Sequence, residues 1–132
     1  MSQENVEIVR SIYEAVNRGD WDAAFRDQRR DVELTTPPRG PNAGTYRGRE
    51  ECQGFWEDLL TPFEAWSAEP EEFFEHGDQI AVVVKARTRP KGSSAELELR
   101  NGAVWTIRDG TVVSVRLFAT PEDALEAAGL RE

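Results

Sequence analysis

The clearest pattern of apolar and polar positions lies between residues 103 and 118, where two β-branched and aromatic runs flank Asp109-Gly110. Such a pair between two alternating segments is a strong β-hairpin signal. A two-residue turn would place Trp105 opposite Ser114, on a face that mixes apolar and polar side chains. A three-residue turn, with the glycine left-handed in a bulge, would place Trp105 opposite Val113 and give one apolar face. The pattern therefore predicts the bulged turn, with the odd-numbered residues facing inward.

Four other segments carry apolar residues at the three- and four-residue spacing of a helix. The first two are separated at Asp20, which is expected to cap the second. A third helix follows Gly48, and Pro62 is expected to break it before one further helical turn that carries Trp66. The last helix begins after Thr120, with a proline at its first position.

Strand-like segments occupy most of the remaining chain, and a loop rich in proline and glycine follows the first of them. The predicted strands cover residues 31–36, 69–75, 79–88 and 95–107, and the loop, which has the length of a lid or a mouth, covers 37–44. Runs of helices followed by an antiparallel meander predict an α+β fold, with helices packed on the concave face of a curved, mostly antiparallel sheet. The length of 132 residues predicts a single domain spanning 1–132.

Charge and cysteine content exclude several classes of function. The formal net charge of −9 argues against a nucleic-acid partner and against an anionic membrane surface. A single cysteine, Cys52, forms no intramolecular disulfide, and together with the single histidine, His76, it is too little for a zinc site. The N-terminus lacks the regions of a signal peptide, and no apolar run reaches membrane-spanning length. We therefore expect a soluble cytoplasmic protein without a metal or cofactor.

Four short stretches, in this order along the chain, resemble the nuclear transport factor 2-like superfamily, and more closely its SnoaL-like polyketide-cyclase branch. They are Tyr13-Glu14-Ala15-Val16-Asn17-Arg18-Gly19-Asp20, Tyr46-Arg47-Gly48-Arg49-Glu50, Val104-Trp105-Thr106-Ile107-Arg108-Asp109-Gly110 and Ala124-Leu125-Glu126-Ala127-Ala128-Gly129-Leu130. The resemblance implies a cone-shaped fold with an apolar pocket between the concave sheet and the helices, and frequent homodimers. It implies no particular reaction, because members include cyclases, isomerases, dehydratases and proteins that only bind a ligand.

The catalytic residues of the ketosteroid isomerases, which the chain also resembles, are not found at the matching positions. Their general base precedes a proline, and here Thr36 occupies that position. Their oxyanion tyrosine falls on Ile12, one residue before Tyr13, and their protonated aspartate falls near Ala103. The resemblance therefore excludes proton abstraction by that set of groups. His76, in a predicted hairpin turn, is expected at the wet rim of the sheet.

A concave sheet lined by small and medium residues and rimmed by aromatics is the usual setting of a binding cavity. The candidate ligand-binding residues are Tyr13, Trp21, Thr36, Phe55, Trp56, Leu99, Asn101, Ala103, Trp105, Val115 and Leu117. Ordinary core packing is the alternative for most of them. Thr36 and Asn101, with Tyr13, would supply the polar groups that orient a ligand.

These observations favour a domain that binds a small hydrophobic or ring-bearing molecule. Two alternatives stay open: an enzyme of the same fold (a cyclase, isomerase or dehydratase-like lyase), and a dimerisation or docking module without a ligand. The outward face of the sheet, which includes Val104 and Phe118, is expected to be exposed and suits either a homodimer interface or a bare surface.

Overall fold

The computed structural model describes residues 2–38 and 42–130, which form four helices and six strands. The elements are α1 (Ser2–Arg18), α2 (Trp21–Phe25), β1 (Gln28–Thr35), β2 (Thr45–Arg47), α3 (Gly48–Leu60), β3 (Phe63–His76), β4 (Gln79–Pro90), β5 (Leu97–Arg108), β6 (Thr111–Phe118) and α4 (Pro121–Ala127). The strands lie in the order β2-β1-β6-β5-β4-β3, and only β1 and β6 run parallel. The predicted α+β class with a curved, mostly antiparallel sheet is confirmed.

The main core lies on the face of the sheet that α1, α2 and α3 cover. The helices contribute Val9, Ile12, Val16, Phe25 and Phe55, and the sheet contributes the inward side chains of the four central strands. Asp20 caps α2 as predicted, with Oδ1 accepting a hydrogen bond from the Ala23 amide at 3.1 Å. Within the described ranges, each helix is too short or too polar to cross a lipid bilayer.

Helix α4 packs on the opposite face of the sheet, over a small second cluster that contains Val104 and Ala124. Its approach depends on Gly102, because a β-carbon there would lie 2.7 Å from the Ala124 Cβ. The expectation that Val104 is exposed is therefore wrong: its outward direction is as predicted, but α4 buries it completely. The Thr120 cap of α4 is present, since its Oγ1 accepts a hydrogen bond from the Asp123 amide.

Strand β3 begins at Phe63, where a further turn of helix was predicted, so that prediction is wrong. The strand register shifts after Phe63 and again after Pro70, leaving one extra residue in each place. Across each bulge, residues three apart face the same side, so Phe63 and Trp66 share the concave face. A three-residue spacing imitates a helix, which explains the error. Strand β2 was not predicted, and β1 starts three residues earlier than expected.

The β5–β6 hairpin differs from the predicted register. Ile107 pairs with Val112, so that Asp109-Gly110 forms a two-residue turn with φ values of 54° and 75°. Positive φ at both positions is the geometry of a type I′ turn. The extra residue is Val113, beyond the turn, and Trp105 therefore lies opposite Val115. The predicted left-handed glycine is confirmed, whereas the three-residue turn and the pairing of Trp105 with Val113 are wrong.

Candidate functional site

A cavity of about 570 Å³, here called the chamber, lies between the concave face of the sheet and helices α1 and α3. Its wall contains eight of the predicted residues, namely Tyr13, Thr36, Phe55, Trp56, Leu99, Asn101, Ala103 and Leu117. The inward-facing residues of β5 and the apolar stripe of α3 supply five of these. The side-chain direction that sequence periodicity gives was therefore sufficient to predict that these residues face the chamber.

Three predicted residues lie outside the chamber wall. Trp105, only 1% exposed, is packed behind Tyr13, and Val115 belongs to the solid core beneath it. Trp21 is half-buried on α2 and packs against the same core. At these positions the side chains point inward as predicted, but they pack into the solid core instead of lining the open chamber.

Several wall residues were missed, half of them on β3, β4 and the segment between α3 and β3. They are Leu59, Pro62, Phe63, Trp66, Ala68, Val84, Ala86 and Thr88, together with Pro37, Asn42, Ala43, Gly102, Phe118 and Ala119. The even-numbered residues of β4 could have been found, because they alternate along the most strand-like run of the chain. Phe63 and Trp66 were hidden by the bulge that separates them.

Tyr13 is the polar group set deepest in the chamber wall. The Trp105 indole Nε1–H donates a hydrogen bond to the Tyr13 hydroxyl oxygen at 3.2 Å, and the two rings meet edge-on at 5.6 Å. Burial raises the pKa of Tyr13, and the hydrogen bond from Trp105 opposes this only in part, so the phenol stays protonated. Among the described residues nothing accepts the phenol's own hydrogen, which leaves Tyr13 able to donate to an occupant of the chamber.

Thr36, the residue at the isomerases' base position, has a structural task. Its Oγ1 accepts a hydrogen bond from the Gly44 amide at 2.7 Å and can donate to the Pro37 carbonyl at 3.1 Å. It thus ties together the two ends of the loop that rims the chamber. Residues 39–41 of the loop predicted as a lid lie outside the described residues.

Two other polar side chains face the chamber without a hydrogen-bond partner in the described part of the chain: the Asn101 amide and the Thr88 hydroxyl. The wall includes no acidic or basic side chain among the described residues. Cys52 is buried on α3 outside the wall, and burial raises the pKa of its thiol to about 11, so the thiolate is not formed near neutrality. The described residues contain no cluster of three metal-ligating side chains.

His76 ends β3 at the turn into β4, in agreement with the predicted hairpin turn. Its side chain is exposed and lies outside the chamber wall. Its Nδ1 lies 2.5 Å from the Ala128 carbonyl oxygen, at the C-terminal end of α4. The imidazole therefore holds the helix end and is not positioned to act on a molecule in the chamber.

A second and more polar groove, of about 420 Å³, runs between α1 and the outer edge of β3. Its basic residues Arg10, Lys85 and Arg87 each form an ion pair with a neighbouring carboxylate. Because carboxylates already neutralise the cations of this groove, it has no unpaired positive charge that would bind an anionic ligand among the described residues. The chamber is therefore the better candidate site.

Comparison with known proteins agrees with this architecture. The family model for the SnoaL-like domain matches residues 9–115. An NTF2-like protein of unknown function from Burkholderia pseudomallei is 27% identical with a TM-score of 0.79, over 96% of this chain and 97% of that one. An NTF2-like protein from Burkholderia xenovorans is 29% identical with a TM-score of 0.74, over 97% of both chains. TerC has a TM-score of 0.80 at 21% identity, over 96% of this chain and 98% of its own, which shows the fold alone. No curated protein matches the sequence.

Proposed function

Because the chain belongs to the SnoaL-like domain family, we propose that it binds a small, uncharged, ring-bearing hydrophobic molecule in the chamber. The observation that carries the proposal is the chamber itself, an apolar cavity of about 570 Å³ among the described residues. This volume lies within the range of about 300–1,000 Å³ that small-molecule sites occupy. A docking module with a closed interior would not need such a space. The proposed setting is the cytoplasm, in agreement with the unpaired Cys52.

The composition of the wall restricts the charge of the ligand. Phe55, Trp56, Phe63 and Trp66 offer ring faces and edges, whereas the described wall offers no ionised side chain. A charged ligand group would lose its hydration there without gaining a counter-ion, which is costly. A neutral aromatic or alicyclic ligand meets no such penalty.

Tyr13 restricts the polar chemistry of the ligand. Since its oxygen already accepts the Trp105 N–H, the phenol is set to donate, and a ligand oxygen that accepts a hydrogen bond, such as a carbonyl, is the matching group. Two structures of this fold, both less than 25% identical to this chain, hold small compounds: TerC was co-crystallised with polyporic acid, and a protein from Catenulispora acidiphila was solved in complex with trimethylamine. They support uptake of a small molecule by the fold and leave its identity here open.

An enzyme of the same fold is the second candidate function, and Tyr13 is the observation that favours it. A neutral phenol aimed at a carbonyl oxygen would stabilise negative charge that develops there. The described wall, however, offers no carboxylate, imidazole or amine that would move a proton. We therefore place binding before catalysis.

Binding of 2-acetylnaphthalene, a neutral ketone, tests the proposal against 2-naphthoate, an anion of nearly the same shape. We expect the ketone to bind at least tenfold more tightly by isothermal titration calorimetry. Tyr13→Phe should weaken ketone binding about two- to tenfold, the worth of one hydrogen bond, and should leave naphthalene binding unchanged. Tyr46→Phe is the matched control, since Tyr46 lies outside the chamber wall and bonds to the Asn42 carbonyl. Equal or tighter binding of 2-naphthoate would contradict the proposal.

A further inference from the structure

The inward-facing side chains of β4 change character once, at Thr88. The residues that precede it on the same face of the strand are all apolar: Ile80, Val82, Val84 and Ala86. Valine has nearly the shape of threonine and is equally compatible with a strand. Packing within the sheet therefore does not require a hydroxyl group at this position.

Thr88 is buried, yet its hydroxyl group has no partner in the described part of the chain. Only 8% of the residue is exposed. Every fully buried side-chain nitrogen or oxygen of the described residues has a hydrogen-bond partner, so the Thr88 oxygen is reachable from the chamber that the residue lines. A ligand that fills this space displaces water, and a hydroxyl left without a hydrogen bond is costly. A polar group on the ligand at this point would avoid that cost.

The neighbours of Thr88 keep its hydroxyl group in one place. Trp66 of β3 and Leu97 of β5 are in register with it on either side, and side chains directly opposite one another in a sheet share a face. A branched side chain on a strand has few rotamers. A hydrogen bond formed between such apolar neighbours is also stronger than one formed in water.

The strand register places Thr88 and Tyr13 at opposite ends of the chamber. Tyr13 is bonded to Trp105, which pairs with Ile80, on the far side of Val84 from Thr88. The part of β4 that lines the chamber runs from Val84 to Thr88, which is about 13 Å at about 3.3 Å per residue. The Tyr13 hydroxyl therefore lies toward the Val84 end, here called the inner end, and Thr88 forms the outer end.

The described wall between the two ends is apolar. Ala68, Ala86 and Leu99 cross its middle in register. The Asn101 amide belongs to the inner end, since Asn101 pairs with Val84. A ligand that suits this wall has an apolar body and a polar group at each end.

We propose that Thr88 is a second hydrogen-bonding anchor, and that the ligand is a ring-bearing ketone with a hydroxyl group opposite its carbonyl. This inference rests on the proposed function and adds a requirement that Tyr13 alone does not set. The ligand carbonyl accepts a hydrogen bond from Tyr13 at the inner end. The ligand hydroxyl bonds to Thr88 at the outer end, where Oγ1 can both donate and accept.

Two ketones of nearly the same shape test the proposal. One is 6-hydroxy-2-acetylnaphthalene, which has the second polar group, and the other is 6-methyl-2-acetylnaphthalene, which lacks it. The measurement is the ratio of their dissociation constants by isothermal titration calorimetry. Thr88→Val keeps the shape of the side chain and removes its hydroxyl group. We expect it to shift the ratio about two- to tenfold against the hydroxy ketone, the worth of one hydrogen bond, and to bind the methyl ketone at least as tightly as the wild type does.

Thr106→Val is the matched control. Thr106 is also 8% exposed, but it lies outside the chamber wall, so its substitution should leave the ratio unchanged. Thr88→Ser keeps the hydroxyl group and should keep the wild-type ratio. Tyr13→Phe should weaken binding of both ketones by the same factor, because both carry the carbonyl.

The outcomes separate this inference from the proposed function. If both ketones bind the wild type and Thr88→Val leaves the ratio unchanged, Thr88 is not an anchor, although the chamber still binds a ketone. An equal shift of the ratio in Thr106→Val, or the same loss in Thr88→Ser, would also overturn the role of the hydroxyl group. A wild-type protein that binds neither ketone would overturn both proposals.

Discussion

Enlarging a small side chain of the chamber wall should stabilise the protein if the chamber is open space. Ala86 suits this change, because it lies between Ala68 and Leu99 in neighbouring strands and all three line the chamber. Ala86→Leu adds three carbons, and burying them is worth about 2.4 kcal/mol at about 0.8 kcal/mol per methylene. Loss of leucine rotamers opposes this by about 0.5–1 kcal/mol. We expect a net stabilisation of about 1.5 kcal/mol and weaker uptake of an apolar probe dye.

Ala81→Leu is the matched control for that substitution. Ala81 lies on the same strand and is 1% exposed, but it faces the opposite side of the sheet, beneath α4. Overpacking of a closed cluster costs about 1–3 kcal/mol, so the two variants should differ in sign. Urea unfolding with an unchanged m-value measures both. If Ala86→Leu destabilises the protein as much as Ala81→Leu does, the chamber is not open space.

Two further predictions concern other parts of the sheet. Gly102→Ala should destabilise the protein by about 1–3 kcal/mol in urea unfolding and speed amide exchange in α4, because the new methyl group displaces that helix; unchanged exchange in α4 would contradict the close packing seen there. A hydrogen bond from Arg100, with smaller charge effects from Arg100 and Lys85, lowers the pKa of Glu71 below its ordinary 4.5, so this contribution to stability is complete above that pH and is lost as the pH falls through the lowered value. The urea midpoint of the wild type should therefore fall more steeply than that of Arg100→Ala between about pH 5 and pH 3, and parallel profiles would count against the ion pair.

The β5–β6 hairpin shows how far the apolar pattern could predict the fold. The pattern required one extra residue in the hairpin, which was predicted to lie in the turn, because only then do the residues that flank Trp105 share an apolar face; the structure has one extra residue, in β6. It could not place that residue, because a bulge in the turn and a bulge at Val113 give the same inward parity from Val115 onward. They differ before it: Val113 was predicted to face inward, whereas in the structure Val112 pairs with Ile107 and is buried in the core. Asp109-Gly110 accepts positive φ at both positions, which allows the strands to pair up to the turn.

The candidate site shows a different limit. Parity along β5 found Leu99, Asn101 and Ala103, because alternation continues unbroken there. It also selected Trp105, since direction alone does not separate a residue that lines a cavity from one packed behind another side chain. That distinction depends on how far α1 stands from each part of the sheet, and no local pattern carries this distance. Trp66 was lost for the opposite reason, because a bulge broke the alternation of β3.

The placement of the tryptophans gives the protein an optical reporter of its own. Trp56 and Trp66 line the chamber with ring centroids 6.4 Å apart, and Trp105 is hydrogen-bonded to Tyr13. Three of the chain's four indoles therefore lie in the wall or directly behind it. A molecule that displaces water from these rings changes their emission, and one that moves either Trp56 or Trp66 changes the coupling between their transitions. Fluorescence and near-ultraviolet circular dichroism of the unlabelled protein can thus follow filling of the chamber before the ligand is known.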